Sequence, residues 1–102
     1  MAGAVMSTAL KAQALRALLE DTRMLLDSVA ESFWSSKVRR ALGAIIDPAE
    51  VLSWYGGMGS FNDLLIAEIN GHRVRREQEA ALNNRLDNLR RRIYEVAREL
   101  NA

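Results

Sequence analysis

The chain contains no cysteine, one proline and one histidine. Without cysteine it has no disulfide framework, no thiolate metal site and no thiol catalysis, and a single histidine cannot build a histidine metal cluster. We therefore expect no metal and no other cofactor. The aromatic share is also low, at 6%, so the core of this 102-residue chain must be mainly aliphatic.

An excess of charge of one sign is also missing. Fourteen Lys and Arg against thirteen Asp and Glu leave a formal net charge of +1, so no whole-molecule field commits the protein to nucleic acid or membrane. The apolar N-terminus lacks a basic first region, and its apolar run stops at Lys11, short of the roughly 18 residues that a membrane span needs. We expect a cytoplasmic protein without a membrane partner, with residues 1–6 as a disordered tail.

Apolar residues recur every three or four positions along most of the chain, which is the period of an amphipathic helix. We predict three longer helices over residues 7–29, about 31–46 and 72–100. One face of the second should be buried, and its residues are Trp34, Val38, Ala41, Leu42 and Ile45. The sequence thus predicts an all-α single domain over residues 1–102, a small bundle in which short connections favour antiparallel neighbours.

Two short helices are predicted between the second and the last long helix. Asp47-Pro48-Ala49-Glu50 combines an N-cap, a proline in the first turn and a capping-box glutamate, so a helix should run from Pro48 to about Tyr55. Ser60 is expected to cap the next helix with its hydroxyl, and Asn70-Gly71 should end it. A glycine-rich corner joins these two short helices.

That corner, Gly56-Gly57-Met58-Gly59-Ser60-Phe61-Asn62-Asp63, is the most informative stretch of the chain. Glycine adopts backbone angles that a Cβ forbids and lets other groups approach the main chain. The corner could be a tight structural turn, an anion cradle or a partner-contact loop. The anion cradle is the weakest match, because no predicted strand precedes the corner and the Walker spacing is absent.

Catalytic chemistry has little support in the sequence. The only compact set of candidate groups comprises Ser60, Asp63, Glu68 and His72, and a Ser-His-acid site also needs a positioned base and an oxyanion hole. We expect His72 to be a solvated loop or helix-start residue and the protein not to be an enzyme.

Arginine is concentrated in the last predicted helix, where it outnumbers acidic residues between His72 and Arg92. Local positive charge is what phosphate contacts require, so a nucleic-acid contact is the alternative function. Its candidate residues are Arg73, Arg75, Arg76, Arg90 and Arg91. Arginines beside a heptad seam are more often a solvated face, and no helix-turn-helix spacing accompanies them.

The same helix carries apolar residues that alternate at four and three positions, a seam of heptad type. Its members are Leu82, Leu86, Leu89, Ile93, Val96 and Leu100. Such a seam packs either inside a bundle or against a second copy, so a homodimer through Leu82–Leu100 stays open.

The stretch Trp54-Tyr55-Gly-Gly-Met-Gly-Ser-Phe-Asn-Asp-Leu64 resembles the hallmark of a family of small helical bacterial proteins of unknown function. The resemblance covers about Phe33 to Leu100, with an aromatic and basic helix before the motif and a closing helix like Asn84-Arg-Leu-Asp-Asn-Leu-Arg-Arg-Arg-Ile-Tyr94 after it. It implies a shared helical architecture and names no reaction.

For function we expect a non-enzymatic protein–protein interaction module, and a concrete version is an immunity protein or antitoxin that binds and blocks a toxin. In this hypothesis exposed rings around the corner insert into the partner, and nearby arginines add charge-assisted contacts. The expected partner-binding residues are Trp54, Tyr55, Gly56, Gly57, Met58, Gly59, Ser60, Phe61, Asn62 and Asp63. The hypothesis requires those rings to be exposed.

Overall fold

The computed structural model describes residues 7–102, and the predicted tail, residues 1–6, lies outside them. This part of the chain forms four α-helices and no strand, which confirms the all-α prediction. The helices are α1 (Thr8–Ser28), α2 (Ser32–Ala41), α3 (Pro48–Leu52) and α4 (Arg76–Leu100). Two single-turn 3-10 helices, Phe61–Asp63 and Glu68–Asn70, lie between α3 and α4.

The long helices α1 and α4 pack against each other and supply most of the core. Leu19 and Leu26 of α1 and Leu86 and Ile93 of α4 have no solvent exposure. Full burial of an aliphatic side chain contributes about 1.5–3 kcal/mol, so this pairing is the main source of apolar stabilisation. The heptad seam takes part in this packing. Three of its residues are buried in the core and three are partly buried against it: Leu86, Leu89 and Ile93, and Leu82, Val96 and Leu100 respectively.

Helix α2 ends at Ala41, earlier than the apolar spacing predicts. The guanidinium of Arg16 in α1 donates to the carbonyls of Gly43 and Ala44, at 2.6 and 3.3 Å. These two carbonyls therefore accept hydrogen bonds from a side chain and not from the backbone N–H groups of a further helical turn. Ile45 is 90% exposed, so its predicted place on the buried face is wrong.

Helix α3 begins where the sequence predicts. The Asp47 carboxylate accepts the backbone N–H of Ala49 at 3.0 Å, and Pro48 occupies the first turn. Glu50 is not part of a capping box, because its carboxylate accepts the indole N–H of Trp54 at 3.2 Å. The helix stops at Leu52, short of the predicted Tyr55.

The predicted helix from Ser60 to Ile69 is wrong. After the first 3-10 turn the backbone is extended at Leu64 (ψ 125°) and again at Ala67 (ψ 144°). The second turn ends at Gly71, whose φ of 86° lies in the left-handed region that glycine tolerates. Helix α4 then starts at Arg76, later than the predicted residue 72.

The glycine corner is built on left-handed backbone. Gly56, Gly57 and Gly59 have φ values of 89°, 80° and 74°, and a Cβ added at any of them would meet no atom within 4 Å. The glycines are thus required by the backbone conformation and not by close approach of another group.

This distinction gives a matched test of stability. Gly57→Ala should lower the free energy of unfolding by about 1–2 kcal/mol, the cost of left-handed backbone for an L-residue. Gly43→Ala is the control, because Gly43 has equal space around it and no left-handed φ. Chemical denaturation of both variants checks this, and equal losses would contradict it.

Candidate functional site

The aromatic rings next to the glycine corner form a buried cluster. Trp34, Trp54 and Phe61 are 7%, 3% and 0% exposed, and the Phe61 ring lies 4.9 Å from that of Trp34 and 5.9 Å from that of Trp54, between centroids. The expected exposure of Trp54 and Phe61 as docking rings is therefore wrong. In a small core these large apolar side chains gain more from burial against one another than from facing water.

Tyr55 lies at the boundary between this cluster and the surface. Its ring packs 5.7 Å from Phe61 on one side and 5.1 Å from Tyr94 of α4 on the other. Its hydroxyl donates to the backbone carbonyl of Arg90 at 2.7 Å. Burial raises the pKa of the Tyr55 hydroxyl well above its usual range, so this group stays a neutral donor.

Arg90 is a structural residue and not a surface cation. Its guanidinium, 7% exposed as a residue, donates to the carbonyls of Phe61 (2.6 Å) and Leu64 (2.8 Å) and to the carboxylate of Asp87. It thereby supplies a donor to the Leu64 carbonyl and a second, shorter hydrogen bond to the Phe61 carbonyl, which also accepts the N–H of Leu64 at 3.4 Å. Its predicted role as a nucleic-acid contact is contradicted, because the group is buried and engaged.

Asn83, about two turns before Arg90 on the same side of α4, holds the next part of the same segment. Its side-chain amide accepts the N–H of Ile66 and donates to the Ile66 carbonyl, both at 2.8 Å. Asn83 and Arg90 together hold residues 61–66, a 3-10 turn followed by extended backbone, against α4. Neither structural role was predicted from the sequence, where Arg90 was a candidate nucleic-acid contact, although a signal exists. Asn83, Leu86, Arg90, Ile93 and Ala97 are spaced by three and four, so two polar residues occupy a second inward stripe.

The outer side of the corner is held by a carboxylate. Asp63 accepts the N–H of Gly59 at 2.8 Å, which closes the loop, while Met58 at its tip is fully exposed. Asn62 is also exposed. Of the predicted corner residues, the glycines, Met58, Asn62 and Asp63 face solvent.

Ser60 does not cap a helix as predicted. Its hydroxyl makes no capping hydrogen bond, and the oxygen is buried without a partner among the described residues. Removing an unsatisfied buried hydroxyl does not weaken a fold. Ser60→Ala should therefore leave the free energy of unfolding within about 0.5 kcal/mol of the parent or raise it.

Ser7→Ala is the comparison, since the Ser7 hydroxyl does accept the N–H of Leu10 at 3.1 Å. Ser7→Ala should lower the free energy of unfolding by about 1 kcal/mol. Urea unfolding of both variants measures the difference, and a larger loss for Ser60→Ala would contradict the assignment.

His72 is buried, which corrects its predicted place in solvent. Its Nδ1 accepts the N–H of Ala67 at 3.1 Å, so the ring proton lies on Nε2, which donates to Glu31 Oε1 at 2.7 Å. The other oxygen of Glu31 accepts the N–H of Trp34 at 3.0 Å and caps α2. Both ring nitrogens are thus committed to structure.

The remaining predicted arginines differ in their surroundings. Arg73, Arg75, Arg76 and Arg91 have exposed side chains. Arg76 lies 3.9 Å from the Glu68 carboxylate, and Arg91 donates to the Asn88 side chain at 2.8 Å. Arg73 and Arg75 have no carboxylate within 4 Å among residues 7–102.

An open groove lies between α3, the glycine corner and the second half of α4. Its volume is about 1240 Å³. We call it the tyrosine groove, because the Tyr55–Tyr94 pair lies in it. Its lining residues are Leu52, Tyr55, Gly56, Asn62, Asp87, Arg90, Arg91, Tyr94, Glu95, Val96, Arg98 and Glu99. The groove retains three of the predicted partner-binding residues: Tyr55, Gly56 and Asn62.

Residues 27–75, from the last turn of α1 to the residue before α4, contain α2, α3 and the glycine corner. They match the family model of a domain of unknown function (DUF6966). The match is consistent with an uncharacterised family. No curated protein and no solved structure is significantly similar to the chain.

The DUF6966 segment, residues 27–75, supplies one side of the tyrosine groove and α4 supplies the other. Its extended stretch depends on Arg90 and Asn83, which lie outside the match. Among residues 7–102, no group of three His, Asp or Glu side chains is arranged to hold a metal ion. None of the four helices has the length and apolar character to cross a bilayer.

Proposed function

We propose that the chain is a non-enzymatic interaction module that binds another protein through the tyrosine groove. The concrete form of the proposal is a bacterial immunity protein or antitoxin that acts in the cytoplasm and blocks a toxin. In this form the buried Trp54 and Phe61 rings support the groove from beneath, and the toxin contacts the groove itself.

The observation that carries the proposal is the composition of this groove. Tyrosine and arginine are the residue types, with tryptophan, that dominate binding energy at protein interfaces. Tyr55, Tyr94, Arg91 and Arg98 all line the groove. The hydroxyl bond from Tyr55 to Arg90 fixes one wall in advance, which lowers the ordering cost of binding. Met58, at the tip of the corner and two residues after the groove-lining Gly56, is fully exposed.

The proposal is tested with the protein products of the genes on either side of this one. The purified chain is mixed with each product, and complex formation is measured by calorimetry together with loss of the product's toxicity on co-expression. Tyr94→Ala should weaken the complex by at least about tenfold, because truncating an interface tyrosine removes a large contact. Met24 is an exposed residue of α1 outside the groove, so Met24→Ala should change the dissociation constant by less than about twofold. Failure of every neighbour to bind would contradict the proposal.

The alternative function, a nucleic-acid-associated regulator, rests on the exposed pair Arg73 and Arg75 just before α4. Arg90 no longer contributes to it. If the alternative is right, the chain binds heparin or mixed DNA at low salt, and the affinity falls steeply as salt rises. Arg73→Ala with Arg75→Ala should then reduce retention. Absence of retention at low salt removes the alternative.

A further inference from the structure

We infer that the tyrosine groove accepts an acidic segment of its protein partner, with two carboxylates about 10 Å apart on either side of an apolar side chain. The inference rests on the proposed function and names the chemistry of the partner at that site.

The charges that remain unpaired in the groove favour an acidic ligand. Asp87 is engaged by Arg90, and Glu99 lies 3.3 Å from Lys11 of α1. No carboxylate of residues 7–102 lies within 4 Å of the Arg91 or Arg98 guanidinium. With Asp87 and Glu99 paired, two cations and one anion of the lining are left unpaired. The cations are Arg91 and Arg98, and the anion is Glu95.

The spacing of the two cations specifies the ligand further. Arg91, Tyr94 and Arg98 are three and four residues apart on α4, so they share one face of the helix. Seven residues of helix separate the two arginine backbones by about 10 Å. Carboxylates with that separation occur at positions i and i+7 of a partner helix, or at i and i+3 of an extended segment. Between them an apolar side chain would rest on Tyr94.

The same lining favours a peptide over a nucleic acid. The unpaired Glu95 lies between the two arginines on α4, and a nucleic acid with a charge at every nucleotide would bring a phosphate near it. A peptide places its carboxylates only where the arginines lie. Mixed charge of this kind sets register and partner choice more than it sets affinity.

The test uses a labelled synthetic helical peptide with Glu at positions i and i+7 and Leu at i+3 and i+4. A second peptide carries Lys in place of both Glu, and a labelled oligothymidylate is the nucleic-acid probe. Fluorescence anisotropy with the full chain should show binding of the Glu peptide, at least about tenfold tighter than the other two probes. Addition of salt should weaken it.

Two charge-reversal variants of the chain locate the site. Arg91→Glu with Arg98→Glu should weaken binding of the Glu peptide by about tenfold or more, whereas Arg85→Glu with Arg92→Glu should change it by about twofold at most. The second pair is exposed, is also seven residues apart on α4 and lies outside the groove, so it makes the same change in net charge. Arg91→Gln with Arg98→Gln repeats the test should the first variant lose its helical circular dichroism.

Equal losses in the two pairs, no binding of the Glu peptide, or tighter binding of the oligothymidylate would overturn the inference. A complex with a neighbouring gene product that survives Arg91→Glu with Arg98→Glu but is lost with Tyr94→Ala would overturn it too, and would leave the proposed function standing. Conversely, selective capture of the Glu peptide in the groove supports the inference even if no neighbouring product is a toxin.

Discussion

Arg90→Met should lower the free energy of unfolding by about 3–5 kcal/mol, because the buried guanidinium donates to two backbone carbonyls and each hydrogen bond from a charged donor contributes about 1.5–3 kcal/mol. Methionine fills most of the arginine's volume but donates no hydrogen bond. The Leu64 carbonyl would then lose its side-chain donor, and the Phe61 carbonyl would keep only the backbone N–H of Leu64 at 3.4 Å. Urea denaturation followed by circular dichroism measures the loss.

Arg91→Met is the matched control, since Arg91 is the next residue of α4 and its side chain is exposed. The control should stay within about 0.5 kcal/mol of the parent. Similar losses in the two variants would show that Arg90 does not hold the extended stretch. Hydrogen exchange adds a local readout, because the amides of residues 61–67 should lose protection in Arg90→Met while those of α1 keep it under conditions where the protein remains folded.

Phe61→Ala is expected to have an equally large effect, about 3–5 kcal/mol. The ring is fully buried and touches Trp34, Trp54 and Tyr55, with the Arg90 guanidinium 5.9 Å from its centroid. Its removal leaves a cavity among rings that the surrounding turn cannot collapse to fill. Because a domain of this size is stable by about 5–15 kcal/mol, a large part of that margin would be lost.

Phe33→Ala provides the comparison within the same residue type. Phe33 is 62% exposed, and its ring contacts Trp34 and the Lys37 ammonium at the surface. Its truncation should cost no more than about 1 kcal/mol. Thermal unfolding of both variants separates the two sites, and a melting temperature that falls equally in both would contradict the central position of Phe61.

The parts of the fold that the sequence predicts well are those with local causes. Helices α1 and α4 follow from apolar spacing alone, and the start of α3 follows from Asp47 and Pro48, whose capping bond spans two residues. Such signals lie within one turn of the residues that they order, so a single sequence contains them in full.

The prediction for residues 60–75 is wrong for the opposite reason. The apolar density of this stretch indicates a helix, but the carbonyls of Phe61, Leu64 and Ile66 accept from side chains 17 to 29 residues further along the chain. His72 likewise pairs with a carboxylate 41 residues away. A local window cannot register donors at such distances, so the extended backbone and the burial of His72 were not predictable from it.

Burial of the rings around the glycine corner was not predictable from the sequence. Gly56 and Tyr55 border the groove, whereas Trp54 and Phe61 are buried in the core. Neighbouring aromatic residues carry no sequence signal of their burial, since Phe33 is 62% exposed and Trp34 only 7%. The sequence indicates no role for Tyr94 beyond the closing helix, because its contact with Tyr55 joins residues far apart in sequence.

Residues 27–75 depend for their shape on Asn83 and Arg90, which lie beyond the edge of the family match. A gene fragment cut at the edges of the match would encode the glycine corner without the helix that holds the segment after it. Grafting or truncation that keeps this shape must carry α4 along, so the smallest transferable unit is longer than the matched stretch.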